Sequence, residues 1–148
     1  MTRSKRMQPI ARLAAERERN AARELVASRH ELEAHRGRLR ELCGYRDEYG
    51  RRLHEVGVQG IDAAQLRDYH SFLTRLNEAI AEQERLVLAA QRGWEACTAR
   101  WQGTRTRTKA LDKVVERLQH DENRRERRRE QGESDEHAQR CRSDLKER

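Results

Sequence analysis

Six histidines, three cysteines and 26 aspartates and glutamates are the residues of this chain that could hold a metal ion, attack a carbonyl or move a proton. A zinc site needs His or Cys ligands at short, repeated spacings. No HExxH and no CxxC occurs. His30, His35, His54, His70, His120 and His137 are not expected to pair with one another or with a cysteine at ligand spacing. Cys43, Cys97 and Cys141 are odd in number and far apart, which reads as a reduced, disulfide-free set. Nucleotide chemistry would need a glycine-rich phosphate cradle, and neither GxxxxGK[ST] nor GxGxxG is present. Acidic pairs are plentiful, but carboxylates become acid–base catalysts only where a cleft shifts their pKa values. The expectation is no catalytic residue, no metal, no cofactor and no enzyme activity.

The elements that position these residues follow a seven-residue apolar rhythm. Tyr69, Leu76, Gln83, Ala90, Cys97, Thr104, Leu111 and Leu118 form one series, and Leu66, Leu73, Ile80, Val87, Trp94, Trp101, Thr108 and Val115 the interleaved one. Met7, Ala14, Ala21, Ser28, His35, Leu42, Tyr49 and Val56, with Ala11, Glu18, Leu25, Leu32, Leu39, Arg46 and Leu53, repeat the pattern less purely in the first half. Such series are the seam of a coiled coil. At about 1.5 Å per residue, a helix of roughly fifty residues spans about 75 Å. A seam of that length leaves little room for an enclosed pocket, so function is expected on the outside. On this reading His35 is a tolerated polar seam residue and Cys97 a small apolar filler. Composition agrees: 40% of residues are charged, 34% hydrophobic and 4% aromatic, with a single proline and a mean hydropathy of −1.22. Long helices accept that balance, whereas sandwiches and barrels do not.

Between the two halves, Gly57 and Gly60 punctuate the helix, Asp62 can cap the next one, and Gln65 completes a capping-box pattern. A short connection makes antiparallel neighbours. The predicted fold is all-α: a long antiparallel two-helix coiled-coil hairpin with a frayed C-terminal tail. Its 148 residues form one domain, with helix one at about 7–56, a loop at 57–62, helix two at about 63–130 and a disordered tail at 131–148. Pro9 is expected near the start of helix one, where a missing N–H costs least. An antiparallel seam pairs Val56 with Leu66, Leu53 with Tyr69, Tyr49 with Leu73, Leu42 with Ile80 and Leu32 with Ala90. It also sets Trp94 against Ser28 and Trp101 against Ala21, so large residues meet small ones.

Net charge is +7 and the pI about 9.9. Residues 1–56 carry 14 Lys/Arg against 9 Asp/Glu, residues 57–118 carry 10 against 8, and residues 119–148 carry 9 against 9. The surplus is mild and mostly N-terminal, and an acidic protein partner suits it as well as a phosphate backbone does. The Arg-rich run at 124–129 reads as a solvated face. No apolar run reaches membrane-spanning length. No apolar h-region follows the basic start, so a cleaved signal peptide is not expected.

One feature exceeds what the seam requires. Tyr45, Phe72, Ala79 and Leu86 occupy positions that flank it along one edge, where Glu or Lys is the ordinary choice. Exposed aromatics are typical interface anchors, which makes this edge a candidate contact surface. Arg46, a charge at a seam position, is expected to weaken packing beside it.

Several local patterns resemble the FliJ family of the bacterial flagellar type III export apparatus. They are Leu42-Cys43-Gly44-Tyr45-Arg46-Asp47-Glu48-Tyr49; Gly60-Ile61 through Tyr69, Phe72, Leu76, Ala79-Ile80 and Gln83; Trp101 with Ala110-Leu111 and Glu116-Arg117; and Asp135-Glu136-His137-Ala138-Gln139-Arg140. Their order and spacing cover nearly the whole chain. The resemblance implies a cytoplasmic, non-enzymatic factor, peripheral at the inner membrane, shaped like the central stalk of rotary ATPases. It implies three kinds of partner: a hexameric export ATPase reached through the termini, an export-gate membrane protein, and export chaperones that the factor recycles. It assigns the gate contact to Leu42, Tyr45, Tyr49, Phe72, Leu76, Ala79 and Gln83, of which Tyr45, Phe72 and Ala79 lie on the edge found from the heptads. The Arg-rich run and Gly132 depart from a smoothly helical end. A stalk factor of a virulence secretion system is the near alternative, and a basic coiled coil that binds nucleic acid the more distant one.

Overall fold

The computed structural model describes residues 1–147 and contains two helices, α1 (Arg3–Gln59) and α2 (Ala63–Lys146), packed against each other as a hairpin, with no strand among the described residues. The turn is built as its residues dictate. Gly60 adopts φ +100°, a conformation open to glycine and costly for residues with a Cβ. Asp62 Oδ1 accepts the Gln65 N–H at 2.8 Å, and Gln65 Oε1 accepts the Asp62 N–H at 3.4 Å. This reciprocal pair satisfies donors that the first turn of a helix otherwise leaves unbonded, and such caps contribute about 1 kcal/mol.

Both helices run further than the heptads suggest. α1 starts at Arg3, so Pro9 lies two turns inside it and forfeits a backbone hydrogen bond there. α2 continues through Gly132 to Lys146, across the segment expected to fray. Only intrahelical polar contacts such as Gln131 Nε2 to Asp135 Oδ1 (3.3 Å) support that stretch, and every residue from Asn123 to Glu147 is exposed. The expectation rested on the missing seam. Helix propensity and i,i+4 polar pairs are enough to continue a helix that the preceding seam has already nucleated.

The chain divides into two compact units, a loop-proximal one (Asn20–Trp101) and a second made of Met1–Arg19 and Gln102–Arg148. In the loop-proximal unit, Leu42, Leu76 and Ile80 form a buried cluster against which Leu39 and Cys43 pack. The expected Leu42–Ile80 pairing is thus present. Leu32 is fully buried and Ala21 nearly so. Arg46, expected on the seam, is exposed, and the half-buried Cys43 packs at that level instead. An α-helix turns through 3.6 residues against a 3.5-residue repeat, so a straight stretch drifts off a strict heptad and brings the neighbouring position inward. The ion pairs Arg29–Glu33, Arg36–Glu33, Arg38–Glu41, Arg52–Glu48, Arg85–Glu82 and Arg100–Glu24 all lie in this unit.

In the second unit Ala14 and Thr108 are buried, and the Thr108 hydroxyl donates to the Thr104 carbonyl at 3.0 Å. Ser4 is buried too, and its backbone N–H and hydroxyl both donate to the Glu122 carboxylate, at 3.0 and 2.6 Å. A carboxylate of α2 therefore caps the N-terminus of α1, where the helix dipole favours negative charge. The Ser4 hydroxyl and backbone N–H hold the Glu122 carboxyl below its ordinary value, helped by the Arg3 backbone and Arg125. A folded-state pKa below the unfolded one stabilises above the unfolded value, and the contribution disappears as pH falls through the folded value. Acidification from about pH 6 to about pH 3 is expected to loosen this contact, read as faster amide exchange at the start of α1. Glu122→Gln should lack that component of the acid response. An identical response in both proteins would remove Glu122 as its source.

Candidate functional site

The aromatic edge is assembled from both helices of the loop-proximal unit. On α1, Tyr45 and Tyr49 lie one turn apart and so share a face. Tyr49 is half-buried and stacks on Phe72 of α2, with ring centroids 4.2 Å apart and planes at 29°. The Tyr69 ring lies 5.3 Å from that of Tyr49, tilted by 58°. Offset and tilted geometries of this kind contribute about 0.5–1.5 kcal/mol beyond burial. Tyr45 remains 52% exposed and Phe72 42%; Ala79 and Leu86 are exposed as well.

The seven residues that the resemblance assigns to a partner fall into two layers. Tyr45, Phe72 and Ala79 face solvent. Leu42, Leu76 and Gln83 are buried and Tyr49 half-buried, so these four can brace the exposed three but present little surface themselves. Tyr69, absent from that set, is the third ring of the cluster. Its seam position was legible in the heptad, but the contact requires knowing which rung of α1 it meets.

Gln83 has a structural task of its own. Its Nε2 donates to the His35 backbone carbonyl at 3.0 Å and lies 3.1 Å from His35 Nδ1. An amide nitrogen is a donor only, so Nδ1 is the acceptor and the ring proton sits on Nε2, 3.9 Å from Glu31 Oε1. His35 is therefore a partner in a satisfied polar layer of the seam, more than a tolerated polar residue.

Chemistry-bearing side chains elsewhere do not converge. His137 and Cys141 correct one sequence expectation: they lie one turn apart on α2, with Nε2 and Sγ separated by 3.9 Å. The i,i+4 spacing puts both side chains on one helix face, as the two histidines of HExxH are placed. No group of three or more metal-binding side chains forms among the described residues. Surface depressions are open grooves, such as one of about 320 Å³ lined by Ser28, His35, Leu86, Ala90, Gly93 and Cys97 among others. No helix of the described residues is long and apolar enough to cross a membrane.

A two-helix antiparallel hairpin with an exposed aromatic edge defines a coiled-coil protein. The model of the family described as Flagellar FliJ protein matches residues 3–144, and the chain belongs to that family of flagellar export-related proteins. No curated protein and no solved structure matches it.

Proposed function

We propose that this chain is a stalk-like coupling factor of the flagellar export apparatus, engaging a hexameric export ATPase and the export-gate membrane protein and helping to recycle export chaperones. On this reading it works in the cytoplasm, peripheral to the inner membrane, and catalyses nothing itself. The observation that carries the proposal is the exposed pair Tyr45 and Phe72, the second stacked on Tyr49, in a chain of this family. Aromatic anchors over a packed base are the usual energetic centres of an interface. The gate contact is assigned to that edge, with Tyr45, Phe72 and Ala79 touching the partner. The ATPase contact is assigned to the unit that contains both termini.

The test is co-purification of the full chain with the hexameric export ATPase of the same organism, with ATP hydrolysis measured in the mixture. A stable complex in which hydrolysis rises by about twofold or more is expected, since a stalk that binds the assembled ring favours assembly by mass action. Absence of both a complex and a rise would overturn the ATPase half of the proposal.

A further inference from the structure

The fold gathers charge that the linear sequence disperses. The loop-proximal unit holds 13 Lys/Arg and 13 Asp/Glu, so its formal charge is zero. The other unit holds 20 Lys/Arg against 13 Asp/Glu and so carries the whole surplus of +7. Within it, residues 1–19 and 102–129 together contain 16 basic residues against 7 acidic ones, and all 16 are exposed. The two segments pack together, as Ser4 with Glu122 attests, and as does a groove lined by Gln8, Arg12, Asp112 and Glu116 among others. Arg124, Arg125 and Arg128 share one face of α2, around a surface depression with Asp121. With Arg127 and Arg129 they form no close ion pair among the described residues, although Arg125 acts on the Glu122 carboxylate through its charge.

We infer that this basic surface docks on an acidic protein surface. Two observations favour protein over nucleic acid. Residues 1–19 and 102–148 contain no Phe, Tyr or Trp, so the surface offers no platform on which bases could stack. Its acidic residues are also interspersed with the basic ones, and each would repel a continuous phosphate backbone, whereas a folded partner can match a mixed pattern. Of the 16 basic residues, 13 are arginines, whose planar forks grip carboxylates in bidentate fashion. The inference deepens the ATPase half of the proposed function and rests on it: the contacted surface of the ring is acidic.

The experiment measures affinity of the full chain for the hexameric export ATPase between about 50 and about 300 mM NaCl, a range over which screening strengthens markedly. It compares two charge-reversed triples. Arg124→Glu/Arg125→Glu/Arg128→Glu removes the basic face, and Arg51→Glu/Arg75→Glu/Arg92→Glu changes the same charge in the neutral unit. Unchanged far-UV helicity establishes that both variants are folded. The expected result is a loss of about tenfold or more for the first triple, less than about threefold for the second, and about a tenfold fall for the wild type across the salt range. Equal losses in the two triples, or binding indifferent to salt, would overturn the acidic surface while leaving the ATPase contact standing. No wild-type binding even at low salt would remove both. A parallel comparison of immobilised poly-glutamate with duplex DNA decides the class of partner. Retention on poly-glutamate that the first triple loses supports a protein, and tighter binding to DNA overturns it.

Discussion

Tyr45→Ala combined with Phe72→Ala is expected to weaken binding to the export-gate membrane protein by about 30-fold or more, the scale on which interface hot spots operate. The two rings are half-exposed in the free protein, so their truncation removes little of what holds the hairpin together. Phe72 does stack on Tyr49, and its loss should cost the fold about 1 kcal/mol through that contact. The buried cluster of Leu42, Leu76 and Ile80 includes neither ring and remains intact. The binding isotherm and the far-UV spectrum are therefore read together. A double variant with wild-type helicity and undiminished gate affinity would remove this edge from the interface. Substituting Leu42 or Leu76 is a poorer experiment, because both are buried and any loss of binding would be confounded by loss of structure.

The second large effect concerns stability. Leu32→Ala should destabilise the chain by about 2–4 kcal/mol, because Leu32 alone among the large side chains of the described residues is completely buried. The seam has few buried residues, so neighbours that could collapse into the vacated space are scarce. Val26→Ala, six residues away on the same helix, removes a side chain that is 57% exposed and should cost less than about 1 kcal/mol. Urea unfolding of the two variants provides the comparison. Equal midpoints would mean that the burial of Leu32 carries no special weight. Unfolding of a chain with two compact units need not be two-state, so the slopes must be compared before free energies are extracted.

The sequence announces the parts of this fold that rest on periodicity and on local chemistry. The seam series predict two helices, the Leu42–Ile80 pairing is realised, and Asp62 with Gln65 marks the start of α2 to the residue. Features that depend on a distant partner are silent in the sequence. Nothing beside Ser4 indicates that its hydroxyl will meet Glu122, a residue 118 positions away. The neutral balance of residues 119–148 likewise conceals the basic surface, because the acidic residues from Glu130 onward cancel the arginines in the count. Only when residues 1–19 are laid against 102–129 does the surplus become local. The candidate edge was readable from the heptads at Tyr45, Phe72, Ala79 and Leu86. The division between exposed and buried members was readable too, since Leu42, Tyr49, Leu76 and Gln83 fall on seam positions of the heptad, and the structure buries three of them and half-buries Tyr49.

The Gln83–His35 layer has a further consequence, which concerns alignment. An apolar seam with a seven-residue period tolerates displacement of one strand by seven residues almost as well as correct pairing, because leucine still meets leucine. Slipping one way would set the Gln83 amide against Leu42, and slipping the other way against Ser28, whose hydroxyl already donates to the Leu25 carbonyl at 2.8 Å and could only accept from the amide. In the first case the buried amide loses the ring acceptor that His35 Nδ1 supplies, at a cost of about 1–3 kcal/mol. One amide thus works as an error check on a repetitive message. It stabilises the native alignment less than a leucine would, and it penalises the incorrect alignment more.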